Sequence, residues 1–428
     1  MMKKVAETAL NAMKKAGAEK AQCTVVRSEK TEVNIEAGKL TLMRTTFENS
    51  VTLTAIVNGK KGGGQLNSWD SNAVAACAAE TVELANAGQP DSAYDIAALE
   101  DGATEFSAGL DKPEENFMSS VVALQSEIAK KHPKVIYTHI AAFVKTDKLI
   151  VNTNGVSLSS SDGRYHIQGE SAAKEGENVT SMNFIECHFR ELPKNLLDAG
   201  NFGELLEQSE RELGAAPSGE KFVGDVIFAP DCLHRLLGYY ADCFLGDIAL
   251  IGGTSLLKDK LGEKIASEIV NIRANPKNPE LCGNALTNDG FRAGDMDIIT
   301  NGVLDSFILT QYGANKTGKK RSPNTAVGCV EMDAGDVSLE DMIAGVERGI
   351  IIGGNISGGD PSENGAFSGI AKNSFLIENG KITRPIQETM VSGNILDVFR
   401  DASAVSRERR NCGIYVLPWM KSGNITIS

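Results

Sequence analysis

The sequence predicts an α+β fold, with antiparallel sheets and packed helices in the N-terminal half and a β-rich C-terminal domain. Short alternating apolar segments follow one another without a helix between each pair, which suits antiparallel pairing. Helical patterns instead stand at the flanks of those runs. Glycine is abundant at 43 residues while aromatics make up only 6%, so tight turns and close backbone approaches are expected. With 428 residues and 42% hydrophobic content, the chain has material for two or three domains.

The first unit, 1–105, opens with an amphipathic helix that places Val5, Ala9, Met13 and Ala16 on one face and stops at Gly17. The segments CTVVRS, EVNIEAG, KLTLMRT and SVTLTAIVNG read as four strands of a meander, with Asn58-Gly59 as a hairpin signal. A helix over 70–86 and the linker NAGQPDSAYD complete the unit. The second unit, 106–218, repeats the order: a helix over 114–131, four strand segments, and a helix over 202–213. GAAPSGEK marks its end. The third, 219–428, begins with the strand FVGDVIFAP and a helix around His234. Strand pairs, a helix over 339–348, a glycine-rich loop over 353–369 and the terminal NITIS follow.

Composition narrows the function classes. A net charge of −13 disfavours direct nucleic-acid binding, because an acidic surface repels phosphates. The basic runs Lys316–Arg321 and Arg407–Arg410 lack interleaved aromatics and read as solvated loops. Eight cysteines without a C-x-x-C pair fit a reducing compartment, and a cytoplasmic location is expected. The N-terminus lacks a secretory apolar core, and no apolar run approaches the roughly 20 residues that cross a bilayer.

The chemistry-bearing motifs are sparse. GKKGGGQ (59–65) lacks phosphate-loop spacing and reads as a hairpin turn. GGNISGGD (353–360) contains consecutive glycines that admit close backbone approach to a ligand. The five histidines are His132, His139, His166, His188 and His234. Cys187 and His188 are adjacent on an expected strand and point to opposite faces, so they do not readily share an ion. No G-x-S-x-G elbow is present.

Four stretches together resemble the TldD/PmbA family, whose members are also described as modulators of DNA gyrase: GAEKAQCTVVRSEKTEVNIEAGKL, TSLLKDKLGEKI, NGVLDSFILTQYGANKTG and FLIENGKITRPIQETMVSGNILDVF. The resemblance spans nearly the whole chain and is closer to the PmbA (TldE) branch. It implies a dimer enclosing a cavity. The TldD branch is implied to be a zinc peptidase of unfolded peptides, carrying HExxxH and a cysteine near the C-terminus.

On this chain the motif falls on His234, Arg235 and Tyr239, with Cys412 near the cysteine position. A cation at the glutamate position cannot accept a proton from zinc-bound water and repels the metal. Residues i and i+5 also lie roughly 140° apart on a regular helix. His234 and Cys412 are therefore the metal candidates, read as coincidental or vestigial. No cofactor is expected in this chain, and zinc is expected in a TldD-like partner.

The expected role is a non-metallated subunit that binds unfolded peptide and completes the chamber of a TldD-like peptidase. The partner is that subunit or a second copy; no membrane or direct nucleic-acid contact is expected. Gly353, Gly354, Asn355, Gly358 and Gly359 are the expected substrate-binding wall. The alternatives are an active metallopeptidase homodimer using His234, Cys412 and Asp242, or a non-enzymatic gyrase modulator.

Overall fold

The computed structural model describes residues 1–325, 328–387 and 389–428. The N-terminal half is one twisted sheet with helices on one face. Its elements are α1 (Met2–Lys15), β1 (Lys20–Glu36), β2 (Lys39–Val57), β3 (Lys60–Leu66), α2 (Ser71–Ala87), β4 (Glu105–Gly109), α3 (Phe117–Lys131), β5 (Val135–Asn152), β6 (Ser157–Glu175), β7 (Asn178–Val179), β8 (Asn183–Phe189) and α4 (Phe202–Arg211). The strand order is β3-β2-β1-β5-β6-β4, with β7 and β8 also pairing with β6. The segments 1–105 and 106–218 thus share one sheet, joined where β1 pairs antiparallel with β5.

The four strands expected before Asn58 are two long ones. Thr31 and Thr45, in the middle of β1 and β2, are paired partners in a register that runs continuously from Lys20 to Asn34 and shifts only at Asn34/Ile35, near the turn. Polar residues at mid-strand look like breaks in the sequence, but here they only turn toward the less buried part of the ribbon. Gly62, Gly63 and Gly64 are not a turn; they lie within β3. A Cβ at Gly62 would fall on the Thr81 carbonyl of α2, and one at Gly64 on the Thr81 hydroxyl. These glycines let helix and sheet close up. The turn itself is Asn58-Gly59, both with positive φ.

Strand parity decides the two faces of this sheet. Val33, Ile35, Tyr137, Ala141, Phe143, Tyr165, Ile167 and Ile185 point to α3 and α4, where Phe117, Leu124, Ile128, Phe202 and Leu206 close the core. The intervening residues, Thr138, Ile140, Gln168, Phe184 and Glu186 among them, point the other way, toward the C-terminal half.

The C-terminal half contains β9 (Phe222–Phe228), α5 (Pro230–Tyr240), α6 (Asp247–Gly252), β10 (Ile272–Ala274), β11 (Met296–Thr300), β12 (Val303–Leu304), α7 (Gln311–Thr317), β13 (Val330–Met332), α8 (Leu339–Ala344), β14 (Arg348–Ile352), β15 (Ile356–Ser357), β16 (Ala366–Ala371), β17 (Ser374–Glu378), β18 (Lys381–Ile386), β19 (Met390–Asn394), α9 (Ile395–Arg400), β20 (Ala402–Asn411) and β21 (Tyr415–Ile427). Its strands form a second, mixed sheet in which β21 pairs antiparallel with β9 and β20 and parallel with β13. The helix expected over 339–348 ends at Ala344, because RGIII enters the sheet as β14 between β9 and β17. Among the described residues no helix is long and apolar enough to cross a membrane.

Candidate functional site

Helix α5 has two faces. Cys232, Leu233, Leu236, Leu237 and Tyr240 are buried in the C-terminal core. Asp231, His234, Arg235 and Gly238, spaced i, i+3, i+4 and i+7, line a cleft of about 570 Å³. Pro230 occupies the first turn of the helix, where its missing N–H costs nothing. Across the cleft stand Thr138 and Ile140 of β5, Gln168 and Glu170 of β6, and Phe184 and Glu186 of β8. Gly353, Gly354, Asn355, Lys372 and Tyr415 close the ends.

A polar cluster fixes the helix in place. Asp231 accepts hydrogen bonds from the Tyr415 hydroxyl at 2.7 Å, Asn201 Nδ2 at 3.0 Å and Arg410 at 2.6 Å. Arg410 also pairs with Glu204, and its guanidinium lies 4.9 Å from the centre of the Trp419 ring. Burial works against the Arg410 charge, but the carboxylates of Asp231 and Glu204 outweigh it and raise its pKa. Burial, reinforced by Asp231, holds the Tyr415 hydroxyl protonated.

The His234 ring lies tilted on Tyr415, ring centroids 4.6 Å apart. Burial pushes its pKa below the ordinary value; Asp231 pulls it up and Arg235 pushes it further down. Tyr239 points elsewhere, and its hydroxyl bonds Asp360. The π-helical turn Ala241–Leu245 comes after both residues, so it does not bring them onto one face. Cys412 is fully buried, and its thiol meets both Cys187 and Tyr415. His234 and Cys412 therefore share a neighbour, Tyr415. Among the described residues, His234, Cys412 and Asp242 do not form a group whose ligand atoms all approach within 4.8 Å.

Of the glycine-loop residues singled out in the sequence, Gly353, Gly354 and Asn355 line the cleft. Gly358 and Gly359 are not among its lining residues. Gly358 makes a left-handed turn, and Gly359 packs against the backbone of Gly369. Asp231, Tyr415, Phe184 and Lys372 were not singled out. Asp231 was open to detection, since it shares the i, i+3, i+7 stripe with His234 and Gly238. The others reach the cleft through pairings between distant segments.

One edge of the cleft offers main-chain groups. In an antiparallel pair, successive residues turn their N–H and C=O alternately toward and away from the partner strand. The His188 N–H leaves β6 and donates to the Cys412 carbonyl at 2.9 Å. The same parity turns the N–H groups of Phe184 and Glu186 to the outer edge of β8. The Phe184 side chain is 56% exposed and Met182 44%, an apolar rim beside that edge.

Residues 221–428 match the PmbA/TldA metallopeptidase C-terminal domain. The chain is 22% identical to metalloprotease PmbA of Escherichia coli O157:H7 over 432 residues, covering 94% of this chain and 91% of that protein. It is 26% identical to a metalloprotease of Methanothermobacter thermautotrophicus, covering 62% of this chain but only 61% of that protein's length. TldE from Thermococcus kodakarensis has the same fold, with a TM-score of 0.81 at 21% identity over 99% of this chain and all of that one. A Bacteroides thetaiotaomicron protein described as a modulator of DNA gyrase superposes with a TM-score of 0.86 at 22% identity, over all of this chain and 98% of that one. The matched C-terminal domain, the full-length PmbA relative and the shared fold agree: residues 221–428 match the PmbA/TldA metallopeptidase C-terminal domain, and the chain as a whole is similar to PmbA and has the fold of TldE.

Proposed function

We propose that this chain is a PmbA-like subunit that binds extended, unfolded peptide in the cleft between α5 and β8 and completes the chamber of a TldD-like peptidase. The observation that carries the reading is the open edge of β8 beside an apolar rim. A peptide added as a strand there gains main-chain hydrogen bonds without strict sequence choice, while Phe184 and Met182 cover alternate side chains. The α5 face supports a binding role over zinc chemistry. Arg235 stands where the zinc-peptidase motif has its general base, and Tyr239 is engaged by Asp360. His234 lines this cleft, and burial holds its pKa below the ordinary value, which disfavours the charged ring. The partner in this reading is a TldD-like subunit, and a second copy of the chain is the competing arrangement.

The test is fluorescence anisotropy of a labelled unstructured peptide with the purified chain, alone and mixed with a TldD-like subunit. Phe184→Asp should weaken binding about ten-fold or more while far-UV circular dichroism stays unchanged. Glu186→Pro, which removes an edge N–H, should act in the same direction. Equal binding by the wild type and both variants would overturn the reading. Size-exclusion chromatography of the mixture shows whether the partner is the TldD-like subunit or a second copy.

A further inference from the structure

His166 on β6 and His188 on β8 are directly opposed in the antiparallel register, and Gln168 opposes Glu186. His188 turns its N–H away from β6, so the His166–His188 pair is of the non-hydrogen-bonded kind, in which side chains stand closest. The two rings stack, with centroids 4.4 Å apart. Glu186, two residues from His188 on the same face, places Oε1 3.4 Å from His188 Nε2. His166, Glu186 and His188 each offer a ligand atom, all within 4.8 Å of one another.

From this geometry we infer that His166, Glu186 and His188 form a site for a divalent transition-metal cation, separate from α5. A tetrahedral ion with ligand bonds of about 2.0–2.1 Å needs its donors about 3.3 Å apart. The Glu186–His188 spacing of 3.4 Å already fits, and the ligand atom of His166 lies within 4.8 Å of both. The Nε2 atom of His166 and the Nδ1 atom of His188 are buried without a hydrogen-bond partner among the described residues. A cation at the nitrogen edges of the two rings takes up the lone pair that His166 otherwise leaves unsatisfied.

The nearby cations do not forbid it. Lys30 pairs with Glu32, and Arg164 pairs with Asp162. Two imidazoles and a carboxylate favour zinc, cobalt or nickel over magnesium or calcium. Three protein ligands leave further positions for water. Glu186 lines the α5 cleft, while His166 and His188 line a second cavity of about 1000 Å³ between the N-terminal sheet and the 276–293 segment. The site lies where the two cavities adjoin.

The full-length protein is stripped with chelator, given zinc chloride, passed through gel filtration and analysed by inductively coupled plasma mass spectrometry. Affinity is read by calorimetry, and ligand type by the electronic spectrum of the cobalt form. The wild type is expected to retain about one zinc per chain. His166→Gln and His188→Gln should each weaken affinity about ten-fold or more. His234→Gln and Cys412→Ser should retain it. Should either histidine variant fail to fold, Glu186→Gln, at an exposed side chain, carries the same test. No zinc on the folded wild type would overturn the site, as would retention unaffected by the His166, His188 and Glu186 changes. Loss in His234→Gln alone would place the metal on α5 instead.

Discussion

Arg410 donates to the carboxylate of Asp231 at 2.6 Å, tying the last strands of the chain to the first turn of the helix that carries His234. The Arg410 side chain is 7% exposed and that of Asp231 24%, so removing the guanidinium leaves a largely buried carboxylate without its cation. Arg410→Met is expected to destabilise the fold by about 3 kcal/mol. Urea unfolding measures this, and a loss under about 1 kcal/mol would mean the pair behaves as a surface ion pair.

Gly200 makes room for two thiols. Its φ is +57°, and a Cβ there would lie 2.9 Å from Cys412 Sγ and 3.1 Å from Cys187 Sγ. Gly200→Ala should cost about 1–3 kcal/mol. Combining it with Cys412→Ala should recover part of that loss, since the thiol is the atom displaced. Additive losses in the double variant would show that backbone strain alone sets the cost.

The pH dependence of stability should carry the signature of His139. Its ring is 2% exposed, stacks on Tyr137 at 5.0 Å, meets Phe202 edge-on at 4.6 Å, and neither nitrogen has a hydrogen-bond partner among the described residues. Burial lowers its pKa to about 3. Between the unfolded value near 6.5 and that folded value, the unfolded chain binds the extra proton, so stability falls as pH falls. Glu212 opposes this in part. Burial raises its pKa to about 7, so its contribution falls as pH rises from about 4.5 toward 7. The comparison is therefore between the wild type and His139→Met. From pH 6.5 to 5 the wild type should lose about 2 kcal/mol relative to the variant. Parallel stability profiles would contradict a neutral buried His139.

Native alkylation should rank the cysteines by access and charge. Cys77 is half-buried, whereas Cys23, Cys187, Cys232, Cys282, Cys329 and Cys412 are buried. Burial pushes the Cys23 thiol up to about 12 and also raises Cys243, the other half-buried thiol. A brief iodoacetamide pulse followed by peptide mass spectrometry should find Cys77 modified first. Early modification of Cys412 would mean that the strand ends around Tyr415 open in solution.

Sequence alone specified the fold class, the flanking helices, the resemblance to the TldD/PmbA family and the position of α5. Each rests on local pattern. Pro230 and the Cys232–Tyr240 stripe define the helix and its buried face, and Arg235 and Tyr239 depart from HExxxH at known spacing. The alternation of Tyr137, Ala141 and Phe143 defines a strand face wherever the strand pairs. Tertiary structure decided which faces meet. That the polar side of α5 opposes β8, that Asp231 is held by Arg410 and Tyr415, and that His166 stands opposite His188 all depend on register between segments tens to hundreds of residues apart. Strand parity within Glu186-Cys187-His188 already separates the cysteine from the other two. The third member of that cluster comes from another strand, and a one-residue slip in pairing would turn its side chain to the opposite face.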